Sequence, residues 1–147
     1  MFGNYDTRGE NKNVIKLNCP LDPQEVHGAI HKLKSGKTHG CDTILADTLK
    51  LAGNTAVQFL AKLFNIVFDE GASPEEWSKA IIILLFKKGN KNITDNYGGI
   101  SRLSLIGKCY TSVLNTRLVS WAEENDKLSD AQAGFRQGYS TSKAKTY

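Results

Sequence analysis

The chain has 147 residues, of which 40% are hydrophobic and 23% are charged, and its formal net charge is +4. This length suffices for one modest hydrophobic core, and the composition excludes a wholly disordered chain. Three widely spaced cysteines without a CxxC pair exclude a disulfide framework and are typical of a reducing compartment.

The first 20 residues are polar, and we expect them to form a flexible leader that precedes one domain over residues 21–147. They contain no apolar stretch of the kind found in signal peptides, so we expect an intracellular protein, in the cytoplasm or nucleus, that is not secreted. The longest uninterrupted apolar run, residues 80–86, is too short to cross a bilayer, and we expect no membrane partner.

A capping-box pattern predicts where the first helix begins. Asp22 is placed to act as the N-cap, Pro23 suits the first helical position, and Glu25 completes the box. The apolar spacing that follows is helical, and Ser35-Gly36 is predicted to end the helix. The stretch SGKTHGCD, residues 35–42, is then expected to be a loop.

Glycines delimit the next two predicted helices. A short helix over residues 45–52 is expected to stop at Gly53, and a longer one is expected to begin at Asn54 and to end at Gly71 as its C-cap. The apolar positions of the longer helix recur at helical spacing and predict a buried side. These positions are Val57, Leu60, Leu63, Phe64, Val67 and Phe68.

The second half of the chain mixes strand and helix patterns. SPEEW predicts a short helical turn with Ser73 as its N-cap and Pro74 at the first position. The β-branched run AIIILLF, residues 80–86, predicts a buried strand, and ISRLSL, residues 100–105, a second strand. A helix is predicted over residues 105–124. Its expected buried positions are Ile106, Tyr110, Val113, Leu114, Leu118 and Trp121.

Basic residues are clustered along the chain. Between Lys79 and Arg117 there are seven bases against one acid, Asp95, and residues 131–147 hold three bases and no acid. Such clustering favours a polyanionic partner, and the alternative is a solvated basic face.

Four stretches carry a resemblance to a known family. AIHKLKSGKTHGCDTILADTLK, WSKAIIILLFKKGNKNITDNYGGIS, SLIGKCYTSVLNTRLVSW and LSDAQAGFRQGYST follow one another in the chain. Each resembles a successive block of the N-terminal, fingers half of the reverse transcriptase of non-LTR retrotransposons of the LINE-type, jockey-like group. The resemblance covers residues 22–147. It implies an α+β fold, mostly helical with a small antiparallel fingers sheet, which is a partial fingers/palm fold truncated before the catalytic palm.

The resemblance also implies a function. It indicates a fragment of an RNA-directed DNA polymerase that contributes template and nucleotide contacts. The intact family enzyme uses an RNA template, a DNA primer, a deoxynucleoside triphosphate and Mg²⁺ held by palm carboxylates. No Asp-Asp pair occurs in this sequence. We therefore expect no catalytic residue, no cofactor and no activity in this chain alone, which lacks the palm and thumb. The alternative is a non-catalytic nucleic-acid-binding module derived from such an element.

The resemblance places phosphate contacts after the first predicted strand. Lysine is a compact charge that suits phosphate, and the lysines there follow the strand directly. The family motif NYRPIS reads NYGGIS here, so Gly98 stands in place of its arginine and Gly99 in place of its proline. The candidate nucleotide-binding residues are Lys87, Lys88, Lys91 and, as a substitute for the lost arginine, Arg102. The alternative for the lysines is a solvated hairpin loop.

Two further stretches are candidates for nucleic-acid binding. In AGFRQGYST, Arg136 is expected to contact the backbone, and Phe135 and Tyr139 are expected to stack on bases. The alternative is that Phe135 lies in the core and Arg136 pairs with a carboxylate. Lys34 precedes the loop that resembles the family wording GKAPGPDGI and Lys37 lies within it, and both are candidates to contact an RNA backbone. A plain surface turn is the alternative there.

A histidine pair raises the question of a metal site. His27 and His31 lie one helical turn apart, with His39 and Cys41 near in sequence, which are residue types that bind zinc. The pair lies on the polar face of its helix, and no CxxC supports it. We therefore expect no metal site.

Overall fold

A computed structural model describes residues 17–129 together with Gly134 and Arg136. The predicted leader lies outside the described residues except for its last four positions. The chain forms two compact units, one made of Pro20–Leu114 and the other of the described parts of Met1–Cys19 and Asn115–Tyr147.

Helix α1, Pro23–Lys32, begins as its sequence predicts. The Asp22 side chain accepts a 2.6 Å hydrogen bond from the amide of Gln24, and the Glu25 carboxylate accepts a 2.9 Å bond from the amide of Asp22. The capping box is therefore confirmed. The helix ends at Lys32, earlier than the predicted end at Ser35-Gly36.

Helix α2, Ala46–Glu70, contains a break at Gly53, where φ is 55° and ψ is −133°. Gly71 has a φ of 66° and is the C-cap. Both glycines adopt left-handed φ values that residues with a Cβ avoid, so the two predicted helix ends are confirmed. By length and composition α2 is apolar enough to cross a membrane. Core helices of soluble proteins meet the same criterion, and the buried side of α2 lies in the core of the larger unit.

Helix α3, Glu75–Ser78, is a single turn. Its N-cap is Pro74, with φ of −52° and ψ of 137°, and no side chain caps it. The prediction that Ser73 caps the turn and that Pro74 occupies the first position was wrong by one residue. The extended ψ of Pro74 moves the start of the helix beyond reach of the Ser73 hydroxyl.

Strand β1, Ala80–Phe86, pairs antiparallel with strand β2, Tyr97–Leu103, and a short 3₁₀ turn, Thr94–Asn96, precedes β2. In the register, Phe86 faces Tyr97 and Ile81 faces Arg102. The strand at 80–86 is confirmed, but its predicted burial was wrong, because six of its seven residues are exposed. The described part of the chain contains only these two strands, and a two-stranded sheet leaves both faces open. The second strand begins three residues earlier than predicted and includes both glycines.

Helix α4, Leu105–Glu124, has the predicted bounds. Leu118 was predicted to be buried, yet 55% of its surface is exposed, so that prediction was wrong. The remaining predicted positions of α4 are buried or half-buried. The mixed helix and antiparallel sheet confirm the α+β class.

The core of the larger unit lies between α1, α2 and the first half of α4. Aromatic rings close one side of it. The Phe64 ring lies 6.0 Å from Trp77 and 5.3 Å from Tyr110, measured between centroids. Burial, followed by the negative charge of Asp42, raises the pKa of the Cys109 thiol to about 11, so this thiol stays protonated and acts as an apolar core group. The fully buried members are Leu21, Val26, Ala29, Ile30, Val57, Leu60, Ala61, Phe64, Ile106, Cys109 and Val113.

Candidate nucleic-acid interface

The loop that joins β1 to β2, residues 87–96, is held together by its own asparagines. The amide of Lys87 donates to the carbonyl of Asn96 at 2.8 Å and closes the loop. The Asn96 side chain donates to the carbonyl of Asn90 at 2.8 Å, and the Asn90 side chain accepts from the amide of Asn92 at 2.9 Å. These bonds are the reason that an asparagine-rich stretch forms an ordered turn here.

Three lysines project from this ordered loop. Lys87, Lys88 and Lys91 are all exposed. The Lys91 ammonium lies 5.8 Å from the centroid of the Phe86 ring, and the Lys91 carbonyl accepts a 2.9 Å hydrogen bond from the Tyr97 hydroxyl. The structure therefore brings together the three lysines that the sequence singled out.

Gly98 contacts one of these lysines. A Cβ added at Gly98 would lie 2.5 Å from Cε of Lys87 and 3.1 Å from its Nζ. The Lys87 side chain thus covers the position where the family motif has an arginine, and it places an ammonium group there. The three atoms nearest to such a Cβ all belong to the Lys87 side chain.

Arg102 does not join the lysine loop. Its guanidinium donates to the carbonyl of His39, and its Nε is buried without a hydrogen-bond partner among the residues described. It lies at the opposite end of β2 from Tyr97. Its predicted phosphate contact stays a prediction, while its observed contact fastens the loop over residues 35–42.

That loop is fixed by Gly40 and Asp42. A Cβ at Gly40 would overlap the carbonyl oxygen of Leu103 and lie 2.6 Å from its carbonyl carbon, so the backbones approach too closely for a side chain. The Asp42 carboxylate accepts hydrogen bonds from the Ser104 hydroxyl at 2.9 Å and from the Ile106 amide at 3.2 Å. It therefore caps α4 from a distant loop.

Hydrogen bonding sets the charge of Asp42. Burial would raise the pKa of this carboxyl, but the hydrogen bonds from Ser104, Ile106, Leu105 and Ile44 outweigh it and lower the pKa below its ordinary value. Next to it, Thr43 has a φ of 57°, a left-handed conformation that is strained for a β-branched residue. The family wording has glycine at this position, which adopts the conformation freely.

Lys34 and Lys37 are exposed on the preceding turn. The turn is anchored to α2, because Asp47 accepts a 3.0 Å hydrogen bond from the amide of Gly36 and the Lys50 ammonium donates to the carbonyl of Leu33 at 2.6 Å. The plain surface turn and the RNA contact both remain compatible with this placement.

Arg136 pairs with a carboxylate, which is one of the two alternatives that the sequence left open. Its guanidinium donates to both oxygens of Glu123 at 3.0 and 2.7 Å and to the carbonyl of Ser129 at 3.0 Å. The hydrogen bond from Arg136 lowers the pKa of Glu123. The other two candidates of this stretch, Phe135 and Tyr139, lie outside the described residues.

Comparison with known proteins identifies relatives. The chain is 34% identical over 134 residues to the RNA-directed DNA polymerase from the mobile element jockey of Drosophila melanogaster, which covers 88% of this chain and 15% of the relative. It is 31% identical over 131 residues to the probable RNA-directed DNA polymerase from transposon BS of the same species, over 86% of this chain and 14% of the relative. No protein-family model matches the sequence.

This chain is related to the reverse transcriptases of jockey-like non-LTR retrotransposons. A third relative, the probable RNA-directed DNA polymerase from transposon X-element of Drosophila melanogaster, agrees, with 30% identity over 140 residues, which is 92% of this chain and 15% of the relative. The chain thus spans about one seventh of the length of the reverse transcriptases that it matches. The predicted resemblance is confirmed.

The reverse transcriptase resemblance implies Mg²⁺, which carboxylate groups would hold. Nowhere in the described part of the chain do three or more His, Cys, Asp or Glu side chains come together. The His27 and His31 rings lie 4.3 Å apart, without a third such ligand among the described residues. No metal-dependent step is assigned to the residues seen here.

Reasoning from the sequence missed two residues that shape this interface of the reverse transcriptase segment. Gly40 and Asp42 organise the loop, whereas their sequence pattern predicts only an ordinary turn. The available signal was their agreement with the family wording GKAPGPDGI, in which both residue types recur at the same spacing. Their partners lie more than 60 residues further along the chain, at Leu103 and Ser104.

Proposed function

We propose that this chain is the part of a non-LTR retrotransposon reverse transcriptase that contacts the RNA template and the phosphates of the incoming nucleotide, within a partial fingers fold. The observation that carries this proposal is the group of three exposed lysines on one ordered hairpin loop, Lys87, Lys88 and Lys91. The polymerase names of the relatives support nucleic acid as the partner.

The order of the loop matters for this proposal. A phosphate contact from an ordered loop costs less conformational entropy than one from a flexible segment. The asparagine hydrogen bonds fix the backbone, and the contact with Phe86 restrains the Lys91 ammonium. The backbone that carries the three lysines is therefore fixed before any polyanion arrives.

The apolar surface of the hairpin supports a place within a larger protein. Ile82 and Leu84 are each 68% exposed on one face, and Ile100 is 49% exposed on the other. Exposed apolar surface on both faces of a hairpin marks an interaction site or an aggregation hazard. We propose that the remainder of the parent polymerase covers this surface. We also propose that the protein is located inside the cell.

Polymerisation itself is not proposed for this chain. Phosphoryl transfer by two metal ions needs a set of carboxylates, and the sequence contains no Asp-Asp pair. A primer-extension assay with the purified chain should therefore show no incorporation above a blank. Incorporation by this chain would overturn the proposal.

Salt-dependent RNA binding tests the proposed contacts. The unmodified chain is titrated against a labelled single-stranded RNA over a series of salt concentrations, and log K should fall linearly with log salt. The Lys87→Gln/Lys88→Gln/Lys91→Gln variant should reduce that slope by about 2, since each phosphate contact on a single strand contributes about 0.7. The control is Lys62→Gln/Lys127→Gln, which removes two exposed lysines elsewhere.

The outcomes separate the proposal from its rival. A slope that falls only in the hairpin variant supports the proposed contacts. If the unmodified chain is in addition a stable monomer that does not associate through its exposed apolar hairpin surface, a self-sufficient binding module is favoured over a polymerase segment. A chain that does not bind RNA at low salt would refute both.

A further inference from the structure

A second group of lysines surrounds a small cavity in the larger unit. The cavity has a volume of about 220 Å³ and lies between the turn after α1, the start of α2 and the start of α4. Lys34 and Lys37 come from the turn, and Lys108 comes from the first turns of α4, 71 positions after Lys37. The fold therefore assembles three positive charges that the sequence keeps apart.

The described part of the chain places no acid in the lining of this cavity. Among the same residues, none of the three ammonium groups has an ion pair or a hydrogen bond. The carboxylates of Asp47 and Asp42, on the same elements, accept from the Gly36 amide and the Ser104 hydroxyl and form no ion pair with these three lysines. Three like charges around one opening concentrate anions there.

The backbone that carries the lysines is fixed on both sides. Lys50 holds the turn through the Leu33 carbonyl at 2.6 Å and the Ser35 hydroxyl at 3.1 Å. Asp42 holds the start of α4 and occupies the amides of Leu105 and Ile106. Those amides are thus not offered to a ligand, and an anion in this cavity would be held by ammonium groups.

We infer that Lys34, Lys37 and Lys108 form a subsite for a phosphodiester group of single-stranded RNA, separate from the hairpin lysines. This inference rests on the proposed function, which supplies the polyanion. The cavity is smaller than the range of roughly 300 to 1,000 Å³ typical of pockets for drug-sized ligands, so it suits one phosphate and its sugar. Exposed lysines at the rim suit a backbone that continues past the site.

The test compares two variants of the full chain in the same RNA titration. Lys37→Gln/Lys108→Gln removes the charge contributed by each side of the cavity and keeps good helix formers in α4. Its affinity at 0.1 M salt should fall about 25-fold, since each lost contact contributes about fivefold at that salt concentration. Lys62→Gln/Lys127→Gln, with the same loss of charge, should lose much less. Circular dichroism and thermal unfolding should be unchanged in both.

Competition with inorganic phosphate distinguishes the source of the phosphate. If the site takes a polynucleotide backbone, millimolar phosphate at constant ionic strength should leave RNA binding unchanged. Displacement of RNA by free phosphate in the unmodified chain, but not in the cavity variant, would overturn the assignment to a backbone. Equal losses in the cavity variant and its control would overturn the subsite while the hairpin contacts still stood. Absence of RNA binding by the unmodified chain would end both proposals.

Discussion

The carboxylate of Asp42 accepts a hydrogen bond of 2.9 Å from the hydroxyl of Ser104, 62 residues further along the chain. The same carboxylate accepts hydrogen bonds from the amides of Leu105 and Ile106 at 2.5 and 3.2 Å. One aspartate therefore caps α4 and fastens the loop that carries Lys37 to the end of β2. The cap joins two of the segments that line the basic cavity, the loop with Lys37 and the start of α4.

Removal of the Asp42 carboxylate should destabilise the fold. Asp42→Ala is expected to lower the free energy of unfolding by about 1 to 2 kcal/mol, as loss of a helix N-cap does. The measurement is urea unfolding followed by circular dichroism. Asp69→Ala, at an exposed aspartate near the end of α2, is the control and should change stability little. A loss no larger than that of the control would contradict the capping role.

The pH dependence of stability should report the same carboxylate. Its pKa is lower in the folded chain than its ordinary value, so its contribution is fully present above the unfolded pKa and is lost as pH falls through the folded pKa. The stability gap between the unmodified chain and Asp42→Asn should therefore be wide at pH 7 and should narrow as pH falls below about 4. A gap that stays constant down to pH 2 would show that the charge contributes nothing.

The close approach at Gly40 predicts opposite effects for two glycine substitutions. Gly40→Ala would force a Cβ into the Leu103 carbonyl and should cost about 3 kcal/mol, at the upper end for overpacking. Gly28→Ala, inside α1, meets no atom within 4 Å and should stabilise by roughly 0.5 to 1 kcal/mol. Thermal unfolding of both variants tests the pair. Tolerance of alanine at position 40 would argue against the observed loop placement.

The left-handed backbone of Thr43 predicts a stabilising substitution. Thr43→Gly should raise the free energy of unfolding by about 1 kcal/mol, because glycine adopts a φ of 57° without the clash of a Cβ. Thr43→Val keeps the branched Cβ and should give no gain. An equal gain in the valine variant would mean that the hydroxyl, and not the backbone, was unfavourable.

The contact between Lys87 and Gly98 leads to a test of the lost arginine. A side chain at position 98 meets only the flexible end of Lys87, which can move aside. Gly98→Arg should therefore fold and should bind a deoxynucleoside triphosphate about tenfold more tightly through one further charged hydrogen bond. Gly98→Ala is the control that adds the Cβ without the charge. Equal affinities in the two variants, measured by calorimetry, would remove position 98 from the nucleotide site.

Local signals predicted the parts of this structure that local physics controls. The Asp22 capping box and the left-handed C-cap at Gly71 both depend on residues within one or two turns. The burial of β1 was predicted wrongly because it depends on what covers the sheet, which a seven-residue pattern does not contain. The roles of Gly40 and Asp42 were missed for the same reason.

The candidate site also has one part that the local sequence predicts and one part that depends on packing between distant segments. The lysine loop could be predicted as a unit, because its members lie within five positions and its asparagines favour a turn. Recruitment of Lys108 to Lys34 and Lys37 could not be predicted, since it depends on how α4 packs beside the turn. For Arg136 the sequence leaves two partners open, a nucleic-acid backbone and a carboxylate, and the structure shows the carboxylate of Glu123 beside it.

Lysine footprinting shows whether RNA contacts the hairpin lysines. The unmodified chain is acetylated at limiting reagent with and without single-stranded RNA, and the modification of each lysine is measured by mass spectrometry. RNA should protect Lys87, Lys88 and Lys91 from acetylation, while Lys62 and Lys127 should be modified equally in both samples. Equal modification of the hairpin lysines with and without bound RNA would contradict the proposed contacts.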